Sequence, residues 1–255
     1  MSDPQTMSHW PTWPLPVRRQ VTMTGKHPCG YLPTRLALFR AFDADEPAGS
    51  GVPISGESYQ RLMDAGFRRS GSVVYQPMCG GCRACVPVRV PVDRFVPSKS
   101  QRRVMRKNKR LVVNVASPAP TREKWEMYDR YQREWHRKVE SDREDVGNYV
   151  AFLYHSPVDS LEFEYRDPWG KLLGVGICDV TPTSLSSVYF YFDPSEAWRS
   201  IGTYSAIYEI QWAAQMKLKF WYAGYWVQGC GAMEYKARFR PLQTLDTDGV
   251  WREQA

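Results

Sequence analysis

Residues 161–194 read LEFEYRDPWGKLLGVGICDVTPTSLSSVYFYFDP. Leu161, Phe163 and Tyr165 alternate with Glu162, Glu164 and Arg166, the two-residue period of a half-buried strand. Asp167-Pro168-Trp169-Gly170 turns the chain into the apolar run LLGVGICDV, and SSVYFYFDP supplies a third strand. Connections this short make the three strands antiparallel. Downstream, the spacing predicts a helix from about Gly202 to Lys217 with Ile207, Ile210 and Ala214 inward. A continuous apolar strand, FWYAGYWV, follows at 220–227, then a helix around Met233 to Phe239 and a last short strand.

That order predicts an α+β fold with an N-acetyltransferase-like (GNAT) mixed sheet. Helices in the corresponding place of that fold usually open with Arg or Gln, two residues, Gly, one residue, then Gly or Ala, so that backbone N–H groups meet a coenzyme pyrophosphate. Here the stretch is Arg199-Ser200-Ile201-Gly202-Thr203-Tyr204. A bulky Tyr204 in the second small position speaks against a coenzyme A donor. A different acyl donor becomes attractive.

Upstream, residues 1–20 are proline-rich and read as an extended arm, and residues 43–56 (DADEPAGSGVPISG) as a loop. GESYQRLMDAG at 56–66 places Tyr59, Leu62 and Met63 on one helical face, with Gly66 set to end the helix. Brief Val-rich strands flank a cysteine-bearing turn at 73–92. EKWEMYDRYQREWHRKV at 123–139 is amphipathic, its exposed face charged with both signs. Two regions are expected: a smaller cysteine-bearing N-terminal region, 1–97, and an acyl-transfer domain, 98–255.

The 255 residues, 43% hydrophobic and 14% aromatic, hold ample material for a packed core, which excludes a disordered chain or a disulfide-stapled miniature. No stretch free of Asp, Glu, Lys and Arg exceeds about 14 residues, short of the ~18–20 that span a bilayer as a helix. No membrane association is expected, and the first 25 residues lack a secretory signal, so cytoplasmic residence is the default. Ser98 to Arg110 (SKSQRRVMRKNKR) holds seven basic residues and no acid, which accounts for the whole net charge of +7. Such a strip suits a phosphate backbone through counterion release; a solvated surface helix is the alternative.

Cys79, Cys82 and Cys85 form C-x-x-C-x-x-C and need a fourth ligand to close a metal site, for which Cys29 is the best remote candidate. Arg89 stands where a ferredoxin-type run would place its next cysteine. The set is read either as a zinc or iron–sulfur site or as reduced thiols. No Ser-His-Asp arrangement or zinc-protease spacing is present, which disfavours nucleophilic hydrolysis.

Several phrases together resemble the arginyl-tRNA–protein transferase family, and within it the bacterial branch of aspartate/glutamate leucyltransferases. They are HPCGYLP (27–33), AGFRRSG (65–71), YQPMCGGCRACVPVRVPV (75–92), SQRRVMRKN (100–108), YFYFDP (189–194), SIGTYSAI (200–207) and YAGYWVQGCGAMEYKARFRP (222–241). They span nearly the whole chain. The resemblance implies transfer of leucine from leucyl-tRNA to the α-amino group of proteins beginning with Asp or Glu, the N-degron route to degradation, with no cofactor required for the transfer. Relatives outside bacteria carry a cysteine-ligated cluster, to which the resemblance also points here.

A tRNA donor gives the strip a purpose, with Lys99, Arg102, Arg103, Arg106, Lys107 and Arg110 as expected phosphate contacts. An aminoacyl ester is already activated and an α-amino group has a pKa near 7.7–8.0, so little base strength is needed. Tyr191, Asp193, Tyr225, Trp226, Tyr235 and Lys236 are the expected catalytic group, since the sheet of this fold splays at their level. Strand aromatics are otherwise core. An acidic acceptor residue calls for a cation, expected at Arg89 between Val88 and Val90, or at Arg238. Two rival functions share these features: an acetyltransferase, and a zinc-ribbon-like RNA-binding module without catalysis.

Overall fold

The computed structural model describes residues 21–45, 54–139 and 145–254. The arm expected over 1–20 lies outside them, as do residues 46–53 of the expected loop. Four short strands, β1 (Thr22–Met23), β2 (His27–Pro28), β3 (Leu36–Ala37) and β4 (Phe39–Asp43), precede helix α1 (Gly56–Asp64). Strands β5 (Arg68–Ser70), β6 (Val73–Pro77) and β7 (Cys85–Pro91) lead to the basic helix α2 (Lys99–Lys107). Then come β8 (Val112–Ala116), α3 (Arg122–Arg130), α4 (Val146–Leu153), β9 (Ser160–Arg166), β10 (Leu172–Val180) and β11 (Ser184–Phe192). Helix α5 (Ile201–Gln215), β12 (Phe220–Val227), α6 (Gly231–Glu234), β13 (Leu242–Leu245) and β14 (Trp251–Gln254) complete the order.

β9, β10 and β11 pair antiparallel, as their short connections require, and β12 joins β11 parallel after α5 crosses over. This is the N-acetyltransferase-like core expected from the element order. The full sheet has eight strands in the order β14-β13-β7-β12-β11-β10-β9-β8. The boundary expected at residue 97 therefore does not divide the sheet. β7, from the cysteine-bearing region, lies between β12 and β13, with Trp221 opposite Val90 and Thr244 opposite Val88.

A second, four-stranded sheet, β1-β4-β6-β5, carries α1. The helix starts where the Ser55 hydroxyl accepts from the Ser58 N–H, and it buries Tyr59, Leu62 and Met63 as its periodicity predicts. Gly66, at φ +87, ends it in the left-handed region that favours glycine. The two sheets are tied by a buried pair. Arg69 on β5 presents Nε and Nη2 to Asp179 Oδ2 and Oδ1 on β10 at 2.7 and 2.5 Å. Tyr59 and Ser160 donate hydroxyl hydrogens to the same carboxylate at 2.9 and 2.8 Å. Among the described residues no helix is long and apolar enough to cross a membrane.

Candidate active site

β11 and β12 pair over only three residues on each strand, Ser184 to Ser186 against Phe220 to Tyr222, and then part. β12 bends away at Gly224, whose φ of +81 coincides with a register shift against β7 between Tyr222 and Gly224. The parting opens a cleft of about 750 Å³. Its walls are the outer half of β11, the start of α5 at Ser200 to Thr203, the bend of β12, and α6 with the turn after it. Tyr31 and Arg68 reach it from the cysteine-bearing region.

Three of the six expected catalytic residues line this cleft: Tyr225, Tyr235 and Lys236. Tyr235 stands at the surface, 37% exposed, whereas Lys236 is buried beneath Gly224. The Lys236 Nζ donates to the Tyr225 carbonyl at 3.0 Å. Burial, with the nearby charge of Arg68, lowers its pKa to about 7. An amine so placed is available in both protonation states near neutrality. The Tyr225 hydroxyl donates to the Gly66 carbonyl at 2.8 Å and so braces the cleft wall.

The other three are held elsewhere. Tyr191 is fully buried, its hydroxyl 2.9 Å from that of Tyr149 and 3.2 Å from that of Tyr154, and burial raises its pKa well above the usual range. Asp193 caps the turn after β11 by accepting from the Ser195 N–H and hydroxyl, and pairs with Lys171 at 3.0 Å. Trp226 packs against the main core. None of the three lines the cleft.

Arg89 also lies off the cleft. Its Nη1 pairs with Asp64 at 2.9 Å and meets the Tyr222 hydroxyl at 3.0 Å, while Nε donates to Gln243 at 2.8 Å. The rings of Phe220 and Trp251 sandwich it at 3.8 and 4.3 Å. The reasoning that a cation between Val88 and Val90 needs a partner holds, but the protein itself supplies that partner. Arg238 is solvent-exposed and away from the cleft. The residue that sequence reading passed over is Arg68. It sat inside AGFRRSG without a role, and only the fold separates it from Arg69, its neighbour.

Tyr204 does not enter the cleft; it packs against Tyr165 and Tyr208. The opening of α5 is therefore not plugged by that ring, and Tyr204 does not by itself exclude a coenzyme A donor.

Helix α2 bears the basic strip. Ser98 and Gln101 form a reciprocal capping box, and Lys99, Arg102, Arg103, Arg106, Lys107 and Arg110 are all exposed. Among the described residues none of the six pairs with a carboxylate. The C-terminal end of the helix reaches the cleft rim: Lys107 donates to the Trp198 carbonyl and Asn108 to that of Arg199, next to Ser200 of the cleft wall. Trp198, 58% exposed, lies under Arg199 at 4.5 Å and Lys107 at 5.6 Å. Cations interleaved with an exposed indole form a surface on which both phosphates and bases can rest.

Cys29, Cys79, Cys82 and Cys85 gather around one small cavity beside Tyr31. Backbone N–H groups of Leu32 and Leu38 donate to the sulfurs of Cys29 and Cys79, each at 3.4 Å. Burial, reinforced by Cys29, Cys79, Cys82 and Cys230, pushes the Cys85 thiol up to about 12. The gathering matches the expected ligand set, but the spacing does not: among the described residues no three His, Cys, Asp or Glu side chains are grouped so as to hold a metal ion. The zinc or iron–sulfur reading has no support in this geometry.

A mixed sheet parted around a cleft, with a cationic helix at the rim, suits an acyltransferase whose donor carries phosphates. Residues 27–103 match the family model described as arginine-tRNA-protein transferase, N terminus, and residues 123–246 match the model for its C terminus. The chain is 36% identical over 225 residues to the aspartate/glutamate leucyltransferase of Hahella chejuensis, covering 88% of this chain and 93% of that protein. It is 38% identical over 228 residues to that of Stenotrophomonas maltophilia, covering 88% of each. Among solved structures, L-PGS from Bacillus licheniformis overlaps 68% of this chain and 51% of its own at 16% identity, with a TM-score of 0.41. The chain belongs to the aspartate/glutamate leucyltransferase family, and it is an aminoacyltransferase.

Proposed function

We propose that this protein transfers leucine from leucyl-tRNA to the α-amino group of proteins whose first residue is Asp or Glu. The observation that carries the reading is the continuity of the exposed cations of α2 with the cleft, through Trp198 and Ser200. The tRNA body rests on α2 through Lys99, Arg102, Arg103, Arg106, Lys107 and Arg110, and its aminoacylated end enters where β11 and β12 part. The acceptor α-amine attacks the ester carbonyl. The new C–N bond forms, the C–O bond to the ribose breaks, the amine loses a proton and the ribose hydroxyl gains one.

Neutral Lys236, whose N–H donates to Tyr225, keeps a lone pair free to take the amine proton. The protonated form can return it to the leaving hydroxyl, helped by Tyr235. Holding amine and ester together supplies much of the rate. The transfer as written needs no cofactor, and the cysteine set enters no step of it.

With a pool of charged tRNAs, peptides beginning with Asp or Glu should gain one leucyl mass while those beginning with Ala or Lys stay unchanged. Transfer of acetyl from acetyl coenzyme A under the same conditions would favour the rival enzyme class. Replacing Arg102, Arg103, Arg106 and Lys107 together with Gln should weaken tRNA binding and flatten the slope of log K against log salt by roughly 3 to 4, with peptide affinity little changed. A slope that does not move would leave α2 as a solvated face.

A further inference from the structure

Two consecutive arginines on β5 are both 5% exposed, yet they are satisfied very differently. Arg69 offers the edge formed by Nε and Nη2 to both oxygens of Asp179. Arg68 spends only Nη1 on protein acceptors, the carbonyls of Met63 at 3.3 Å and Phe67 at 2.6 Å. Its own Nε and Nη2 are buried without a hydrogen-bond partner. No carboxylate among the described residues pairs with it. The guanidinium lies over the rings of Tyr222 and Tyr225, at 5.1 and 5.6 Å, and Arg68 is among the residues lining the cleft, near Lys236.

A buried guanidinium with two bare nitrogens is costly to maintain unless an anion completes it. Arg69 shows, one residue away, what completes it: a carboxylate taken side-on by Nε and Nη2, the fork geometry that such a group prefers. We infer that the Nε–Nη2 edge of Arg68 is the binding site for the side-chain carboxylate of the acceptor's first residue. The inference rests on the reading of the cleft as the transfer site and adds the group that selects the acceptor. The tyrosine bed holds the guanidinium in place, and the Nε–Nη2 edge, closed to solvent in the free protein, is uncovered to the cleft as the acceptor enters. An amide in place of the carboxylate offers one acceptor oxygen and no charge, and its NH₂ meets N–H groups. Asn and Gln are thereby rejected.

The test compares kcat/KM of leucyl transfer to peptides beginning with Asp, Asn, Glu and Gln, for the parent protein, Arg68→Gln and Arg68→Lys, with leucyl-tRNA binding and thermal melting measured on each. Arg68→Gln should lose about 30-fold or more on the Asp and Glu peptides and nearly all preference over the amides, with leucyl-tRNA binding retained. Arg68→Lys keeps the charge but not the fork, and should retain only part of the preference. Should Arg68→Gln fail to fold, full preference in Arg68→Lys would overturn the inference and a partial loss would support it.

An undiminished acid-over-amide ratio in a folded Arg68→Gln overturns the inference while leaving the transfer reading intact. If the parent transfers no leucine to any peptide, that reading falls instead. The site is then judged by direct titration with the four peptides, where acid-over-amide binding that disappears in Arg68→Gln still supports it and its absence in the parent overturns it.

Discussion

Lys236→Met should lower leucyl transfer by about 10²- to 10⁴-fold, the usual scale for removing a positioned acid–base group. The diagnostic is the ratio of parent to variant kcat/KM against pH, because the acceptor amine's own titration cancels in that ratio. As a base, Lys236 should make the ratio rise through pH about 7, where burial and the charge of Arg68 set its pKa, and then level off. A flat ratio would remove Lys236 from the proton path. Stability supplies an independent check. The unfolded chain keeps the lysine proton up to the ordinary 10.5, whereas the folded protein releases it at about 7. Between those values the unfolded state binds more protons, so the parent's stability rises with pH. The charged, buried amine is most costly below pH 7. Lys236→Met should therefore exceed the parent in melting temperature by most at low pH, with the gap closing as pH rises.

The second large effect concerns the pair joining the two sheets. Asp179→Ala leaves Arg69 buried without its anion and orphans the hydroxyl of Tyr59, while Ser160 keeps Ser156 and the Val158 carbonyl. Breaking a buried pair in this way costs about 3–5 kcal/mol. In a chain of this size that corresponds to a fall in melting temperature of roughly 6–20 °C. Adding Arg69→Met should restore a substantial part, since the uncompensated charge goes with it. A loss below about 1 kcal/mol in a denaturant titration would contradict the assignment of this pair as the tie between the sheets.

The strands and helices that define the core were legible wherever the period was clean. LEFEYR alternates, and it is β9; the stretch from 202 to 217 has helical spacing, and it is α5 within two residues at each end. Less legible were VVNVA, which is edge strand β8, and residues 146–153, which form α4 without a strong apolar stripe. Long-range pairing was not legible at all. Nothing local to 85–91 says that its neighbours are β12 and β13. The catalytic candidates divided on the same ground. Lys236, Tyr225 and Tyr235 follow the bend of β12 into the cleft, but Tyr191 meets a tyrosine from α4 that the sequence does not pair with it. Arg89 lies between Val88 and Val90, whereas Arg68 lies between Phe67 and a second arginine, and neither setting shows which cation is left without a carboxylate. What separates them is Asp64, which lies 25 residues from Arg89 in the chain and completes only that one.

The position of β7 also bears on how the molecule is made. Residues 85–91 are synthesised early, yet their two partners are residues 220–227 and 242–245. The middle of the sheet must stay open through most of translation, with apolar β7 waiting for strands still to emerge. Pairings this distant in sequence slow folding, because the loop must close before the contact rewards it. The cleft takes shape only when β12 settles between β7 and β11, so a growing chain gains its cationic helix well before it has anywhere to put an aminoacyl end. Synthesis order thus delays catalytic competence to the final stage of folding.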